Sequence, residues 1–296
     1  MVLAELVPSG FGGNTVIAGS LEMRVPEHPE SDCSSDRNVE ESALTLNILE
    51  RYRAVLRASR DKPPKLRFGR RTVAVSTIAQ QFYCEKAVQF SFEHPLPPSR
   101  NMQDGTAGHE VVAALGVPMT HEQAVQQAII ERAVPLCVYE FRIGWEHDGV
   151  TVLGFVDEAW FRGGRVELVA ERKFSNRPGI YLPYRIQAAL YCLGLSEMGF
   201  STEAAMYRIS VLQRGCHACA ELAAGDCPIL TGKTEGTIRC EGRGISEVFH
   251  FDREQTVRNL DWALEFWRNE REAEPAASPG RCRACRYKNV CEAAQL

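Results

Sequence analysis

The periodicities along the chain predict an α/β or α+β core with a helical front end. Three observations carry that expectation. Apolar residues recur near helical spacing early on, at Leu44, Leu46, Leu49, Tyr52 and Leu56. The middle switches to β-rich stretches over 138–144, 150–160 and 166–172, the first two joined by the turn residues Glu146-His-Asp-Gly149. A helical pattern returns over 184–198 and again over 253–272, the latter with Val257, Leu260, Leu264 and Trp267 on one face.

In chain order, residues 25–38 are mixed Pro, Ser and acidic and read as a loop or tether. A helix over 40–58 ends at Lys62-Pro-Pro-Lys65. Ser76 reads as the N-cap of a helix running to Phe90, stopped by Pro95–Pro98. Helices are expected over 106–115 and 123–133, and a strand over 205–213 with a partner near 248–251. No internal repeat is found. The domain reading is an N-terminal extension, 1–74, partly flexible with one helix, and a main domain, 75–296, carrying a Cys-rich insertion at 214–246.

At 296 residues with 45% apolar and 24% charged residues, the chain has enough apolar material for a sizeable core. Its net charge of −4 gives no global basic signature. Two local sets, Arg51, Arg53 and Arg57, and Lys65, Arg67, Arg70 and Arg71, supply either a basic surface or an ordinary solvated face. Eleven cysteines, an odd count, follow an opening that lacks a basic region and a sustained apolar core. The expectation is therefore metal ligation in a reducing, cytoplasmic setting rather than disulfides. No apolar run approaches bilayer-crossing length, so no membrane is expected as a partner.

Two constellations carry chemistry. Asp157 follows Gly154-Phe-Val on one expected strand, and Glu171-Arg-Lys173 ends the next. Residues two apart on a strand share a face, so Glu171 and Lys173 point the same way. Hydrolysing a phosphodiester near neutral pH calls for a cation held by carboxylate oxygens, with a nearby ammonium to steady the phosphate. Alone, an E-x-K triplet reads as a surface ion pair. The second constellation is Cys282-x-x-Cys285-x5-Cys291, with Cys84 far upstream. Four thiolates suit zinc or an iron–sulfur cluster, and spacing does not separate the two. A further set, Cys216-His217-x-Cys219, Cys227 and Cys240, lies in a Gly- and Thr-rich segment that has little core of its own. Zinc held by Cys216, Cys219, Cys227 and Cys240, or with His217, would staple it.

Gly154-Phe-Val-Asp157 and Glu171-Arg-Lys173 resemble the PD-(D/E)XK nuclease signature. Gln187-Ala-Ala-Leu-Tyr191 resembles the Q-x-x-x-Y motif of its RecB-like branch, and Thr106-Ala-Gly-His109-Glu110 the upstream G-x-x-H motif. With Cys84 and the three late cysteines, the pattern is similar to iron–sulfur nucleases such as the CRISPR-associated adaptation exonuclease (Cas-four type) and the exonuclease V family. The resemblance spans roughly residues 75–295. It implies a restriction-endonuclease-like mixed central sheet flanked by helices, with an iron–sulfur clasp joining Cys84 to the C-terminal segment. It implies Mn²⁺ or Mg²⁺ bound by His109, Asp157, Glu171 and the Arg172 carbonyl, with Lys173 as catalytic lysine and Gln187 and Tyr191 positioning it and the DNA. It favours a [4Fe–4S] cluster on Cys84, Cys282, Cys285 and Cys291. The expected activity is exonuclease action on single-stranded DNA or DNA ends, in DNA repair or in CRISPR adaptation beside an integrase complex. A non-catalytic DNA-end or partner-binding module, and a zinc-binding interaction protein, are the rival readings.

Overall fold

The computed structural model describes residues 14–18, 34–61, 63, 65–97, 117–175, 178–213, 216, 219, 227–231, 236–240, 243–276 and 278–295. Their elements run β1 (Asn14–Ala18), α1 (Ser34–Asp61), β2 (Thr72–Ala74), α2 (Val75–Gln81), α3 (Glu85–Glu93), β3 (Val117–Met119) and α4 (His121–Ile130). There follow β4 (Leu136–His147), β5 (Val150–Arg162), β6 (Arg165–Phe174), α5 (Leu182–Met198), β7 (Met206–Leu212) and α6 (Pro228–Thr231). The last are β8 (Gly236–Cys240), β9 (Gly244–His250), α7 (Arg253–Trp267) and α8 (Pro279–Ala284). The strands form one mixed sheet in the order β3-β1-β4-β5-β6-β7-β9-β8, with β2 paired to β5 off that path. The β2–β5 and β6–β7 pairs are parallel and the others antiparallel. The chain is thus a mixed α/β fold with its central sheet flanked by helices.

Local chemistry sets the element ends. Asp148 and Gly149 (φ 46° and 79°) close the β4–β5 hairpin, and Gly163 and Gly164 (φ 55° and 77°) close β5–β6. Two consecutive positive φ values make the tight hairpin turn that matches strand twist, and Asp-Gly and Gly-Gly supply them cheaply. Thr120 caps α4 through a reciprocal box with Gln123, and the Asp252 side chain accepts the Gln255 N–H at the start of α7. The β6–β7 crossover is α5, which begins at Leu182-Pro183 and ends at Gly199 in the left-handed region (φ 116°). Leu190, Cys192, Leu193 and Leu195 on α5 are all at or near zero exposure, as expected of a helix that is apolar all round.

Several expectations are corrected. The helix read from Ser76 to Phe90 is two helices. Cys84 between them is extended (φ −173°, ψ 116°), and Ala74 rather than Ser76 precedes α2, with no side-chain cap. The first helix starts at Ser34, inside the stretch read as a tether, and α7 stops at Trp267, with Asn269 left-handed (φ 62°) just beyond. The expected 106–115 helix lies outside the described residues. The division at 74/75 separates nothing physical: β1 pairs with β4, β2 pairs with β5, and Ile48 and Leu49 of α1 belong to the main core. Nor is Arg67 part of a free basic patch. Its guanidinium donates to the carbonyls of Phe266 (2.8 Å) and Arg271 (2.6 Å).

Gly194 marks where α5 comes closest to the sheet. A Cβ there would lie 2.7 Å from both Ile143 Cδ1 and Trp145 Cζ3. Replacing an ordinary helical glycine with alanine gains up to about 1 kcal/mol, whereas overpacking a tight core costs about 1–3 kcal/mol. We therefore expect Gly194→Ala to lower unfolding free energy in urea titrations; a gain would show that α5 sits less tightly than this.

Candidate active site

The site lies where the sheet divides. Along one edge, β5 pairs with β6 from Glu158 to Arg162 and with β2 from Thr151 to Leu153. Between those ladders, at the level of Asp157, β5 and β6 splay apart. The side chain fills in for the missing ladder: Asp157 Oδ2 accepts the Arg172 N–H at 2.9 Å. Glu158 pairs with Ala170, so the register carried one step further sets Asp157 opposite Glu171. On the other edge, Tyr139 pairs with Glu158 and Phe141 with Val156, which sets Glu140 opposite Asp157. Glu140 itself is left-handed (φ 53°) and drops out of the ladder. Glu140, Asp157 and Glu171 thus form one row across three adjacent strands, although their oxygens do not all lie within 4.8 Å of one another, so a shared cation would draw them together.

Burial makes this row electrostatically tense. Asp157 is 8% exposed and Glu171 0%. Lys173 Nζ pairs with Glu171 Oε1, and Oε2 has no partner. Burial, and then the charge of Asp157, push the Glu171 carboxyl up to about 8 against the pull of Lys173. Burial acts the other way on Lys173, but Glu171 and Asp157 outweigh it and hold its ammonium above the usual lysine range. Glu140 is pushed up to about 7 by burial and by Asp157, with Arg172 opposing. Overhead, α5 brings Gln187, whose Nε2 donates to the Tyr191 hydroxyl at 2.7 Å. Burial, followed by the charges of Glu171, Asp157 and Glu140, drives the Tyr191 phenol well above its ordinary value. The Tyr184 ring lies 5.7 Å from Lys173 Nζ.

The Arg172 side chain turns to a second charged group. Its Nη2 lies 3.6 Å from Glu158, which also receives Arg208 Nη2 at 2.9 Å and Trp160 Nε1 at 2.6 Å. The Arg172 guanidinium rests over the Tyr139 ring at 5.1 Å. Buried guanidiniums beneath the carboxylate row favour its ionised forms, and Arg172 pulls on both Glu171 and Glu140.

The structure therefore brings together Asp157, Glu171, Lys173, Gln187 and Tyr191, with the Arg172 backbone beside them. His109 lies outside the described residues. Glu140 is the residue the sequence reading missed. Its signal was a lone acid inside the apolar run Cys137-Val-Tyr-Glu-Phe141. A hard divalent cation takes carboxylate oxygens, and the buried, unpartnered Oε2 of Glu171 suits that demand.

Cys84, Cys282, Cys285 and Cys291 line one pocket, together with Tyr83 and Tyr287. The Ala276 N–H donates to Cys84 Sγ and the Tyr287 N–H to Cys285 Sγ, each at 3.4 Å. Burial, and then the neighbouring cysteines, raise the Cys285 thiol. The segment is stitched to α2 and α3 by other bonds as well. Arg271 pairs with Glu85 at 2.5 Å, the Glu274 N–H donates to Glu85 at 2.9 Å, and Arg281 donates to the Tyr83 carbonyl at 2.9 Å. Trp267 Nε1 donates to Gln81 Oε1 at 2.8 Å. Among the described residues, no three of these sulfurs lie within 4.8 Å of one another. A single zinc with bonds of about 2.3 Å would draw them to roughly 3.8 Å.

Cys216, Cys219, Cys227 and Cys240 also converge, in a small apolar cluster with Tyr139 and Leu212. No three of their sulfurs come within 4.8 Å either, so a zinc there would have to pull them inward. His217 lies outside the described residues. Among the described residues the tightest ligand group is His147, Asp148 and Asp261, at the β4–β5 turn and on α7, where His147 Nε2 meets Asp261 Oδ1 at 2.6 Å. It stands at the far end of the hairpin from Asp157. No helix among the described residues is long and apolar enough to cross a membrane.

No protein-family model matches this chain, and no curated protein matches it. A solved structure titled "Crystal structure of SSO0001" aligns with 87% of this chain and 98% of its own, at 14% identity and a TM-score of 0.42. Agreement of that size does not establish a shared fold.

The buried acid gives a pH prediction for the metal-free protein. Glu171 is held up at about 8 in the fold against 4.5 for the free side chain, so the fold prefers its neutral form. The stability that form contributes is complete below pH 4.5 and is lost as pH rises through about 8. In urea titrations with chelator, Glu171→Gln should gain on the parent between pH 5 and pH 8.5; a constant difference would refute the burial.

Proposed function

We propose that this chain is a metal-dependent deoxyribonuclease of the PD-(D/E)XK, RecB-like type, cutting single-stranded DNA or DNA ends as an exonuclease. One observation carries the reading: Asp157 of β5 and Glu171 and Lys173 of β6, two buried carboxylates and one ammonium, meet where the two strands part, and Glu171 Oε2 there has no partner. When bound, Mn²⁺ or Mg²⁺ supplies Lewis acidity for the phosphodiester and lowers the pKa of a water.

The chain's own groups do the rest. Asp157 and Glu171 hold the cation, with His109 as the expected imidazole ligand. Lys173 stays protonated, its charge fixed by Glu171, and stabilises negative charge developing on the phosphate. Gln187 orients the Tyr191 hydroxyl over the carboxylates, and the Tyr184 ring limits where the lysine can go. Burial keeps bulk water from screening these charges. DNA would enter along the strand ends beside Lys173. The settings that fit this chemistry are prespacer trimming beside a CRISPR integrase complex and DNA repair.

The same reading assigns Cys84, Cys282, Cys285 and Cys291 to a [4Fe–4S] cluster that clasps α3 to the late segment. The shared pocket and the N–H···S bonds from Ala276 and Tyr287 support a thiolate-held centre there. The rival reading, a DNA-end binding module without catalysis, gives no role to two buried carboxylates beside one lysine.

Two results test the proposal. Lys173→Ala and Asp157→Ala should each lower cleavage of labelled single strands in Mn²⁺ by about 10²–10³-fold, with far-UV circular dichroism unchanged; equal cleavage by all three proteins ends the catalytic assignment. Protein purified without oxygen should be brown with broad absorption near about 400 nm. Cys285→Ser should lose that band and melt lower; a colourless parent protein with stoichiometric zinc sinks the cluster.

A further inference from the structure

We propose that Glu140 is a third carboxylate ligand of the cation held by Asp157 and Glu171, an inference that rests on the metal-site reading above. Three independent features lead there. The first is position: the β4–β5 register sets Glu140 directly across from Asp157, which the β5–β6 register sets across from Glu171. The second is backbone. Glu140 is a non-glycine residue at φ 53° in the middle of a twelve-residue strand, and it is the one residue there that leaves the ladder, between paired Tyr139 and Phe141. A left-handed glutamate costs energy and persists where the surroundings gain from it. The third lies in the neighbour: Glu171 is fully buried, with Oε1 on Lys173 and Oε2 without a partner.

The strand's two halves show what the kink accomplishes. Cys137 and Tyr139 pack into the small cluster with Cys216 and Cys227, whereas Phe141 and Ile143 pack into the main core. Residues 139 and 141 would share a face in a regular strand. They do not share one here, so the chain turns over at Glu140. Asp157 sits at the matching point of β5, between Val156 in the main core and Glu158 in the arginine group. The turnover keeps Glu140 at the level where β5 and β6 open. The Tyr191 hydroxyl, above the row, responds to all three carboxylates.

Charge supports a ligand more than a spectator. With all three acids ionised and Lys173 charged, the row carries two uncompensated negative charges, and a single divalent cation cancels them. Arg172 offsets that charge only in part, because it is shared with Glu158 and sits over Tyr139. Removing one anionic ligand from such a site weakens cation binding directly.

The test is Mn²⁺ binding to the full chain without DNA, read from the free-ion electron paramagnetic resonance signal. Asp261→Asn is carried in every sample, so that the His147 group does not contribute. Glu140→Gln should raise the Kd by at least about tenfold and leave one ion per chain. Glu140→Gly should weaken binding equally while melting higher in chelator, because glycine relieves the left-handed strain. A Kd within twofold of the parent in both variants overturns the inference, as does a parent that binds no Mn²⁺. The nuclease reading fails separately: a parent that binds Mn²⁺ through Glu140 yet leaves labelled single strands intact keeps this assignment and loses that one.

Discussion

The hydrogen bond from the Arg172 N–H to Asp157 Oδ2 is the constraint on which the candidate site depends. At that level the β5–β6 ladder has ended and β2 has not yet taken its place. An unpaired strand edge inside a protein leaves backbone groups to be satisfied. Asp157 satisfies one of them with a side chain, and in doing so its carboxylate is fixed where the strands part. Everything else is placed by that opening. Glu171 lies across it, Lys173 one residue pair further along the same strand, and Tyr191 above.

Burial and charge are balanced by layering rather than by simple pairing. A lone ionised carboxylate at zero exposure costs several kcal/mol, and the Glu171–Lys173 pair offsets only part of that. On the far side of the sheet, Arg172 and Arg208 share the single carboxylate of Glu158, leaving that layer net positive beneath the acids. The arrangement is a stacked dipole with the negative side facing α5. It opposes the burial that pushes the Glu171 and Glu140 carboxyls up, and the acids' fields combine on whatever positive group enters.

Much of this was legible in the sequence, and what was not has identifiable causes. The long strands β4, β5 and β6 and the helices α5 and α7 announce themselves through apolar periodicity, because each is longer than any accidental run. The pairing of Asp157 with Glu171 and Lys173 follows once β5 and β6 form a hairpin. β1, β2, β3 and β8 are three to five residues long, too short for a period to show, and they exist because neighbouring strands complete them. The break at Cys84 was hidden because Phe82-Tyr-Cys-Glu-Lys continues a helical pattern, and tertiary bonds from the late segment decide it instead. Glu140 escaped for a different reason. An acid within Val-Tyr-Glu-Phe looks like an alternating outward residue, and only the register with β5 shows what it faces.

The bonds that join residues 81–85 to residues 267–281 bear on how the molecule is made. When Phe174 leaves a ribosome, every strand of the carboxylate row exists, yet the residues that lock α2 and α3 in place follow roughly five to twenty seconds later, at about 5–20 residues per second. During that interval Glu85, which the finished protein buries at 1% exposure, has neither Arg271 nor the Glu274 amide to receive it. The nascent chain therefore carries Glu85 with Gln81 as its partner but without the charged one. Synthesis order thus withholds a closed site until the last partners arrive.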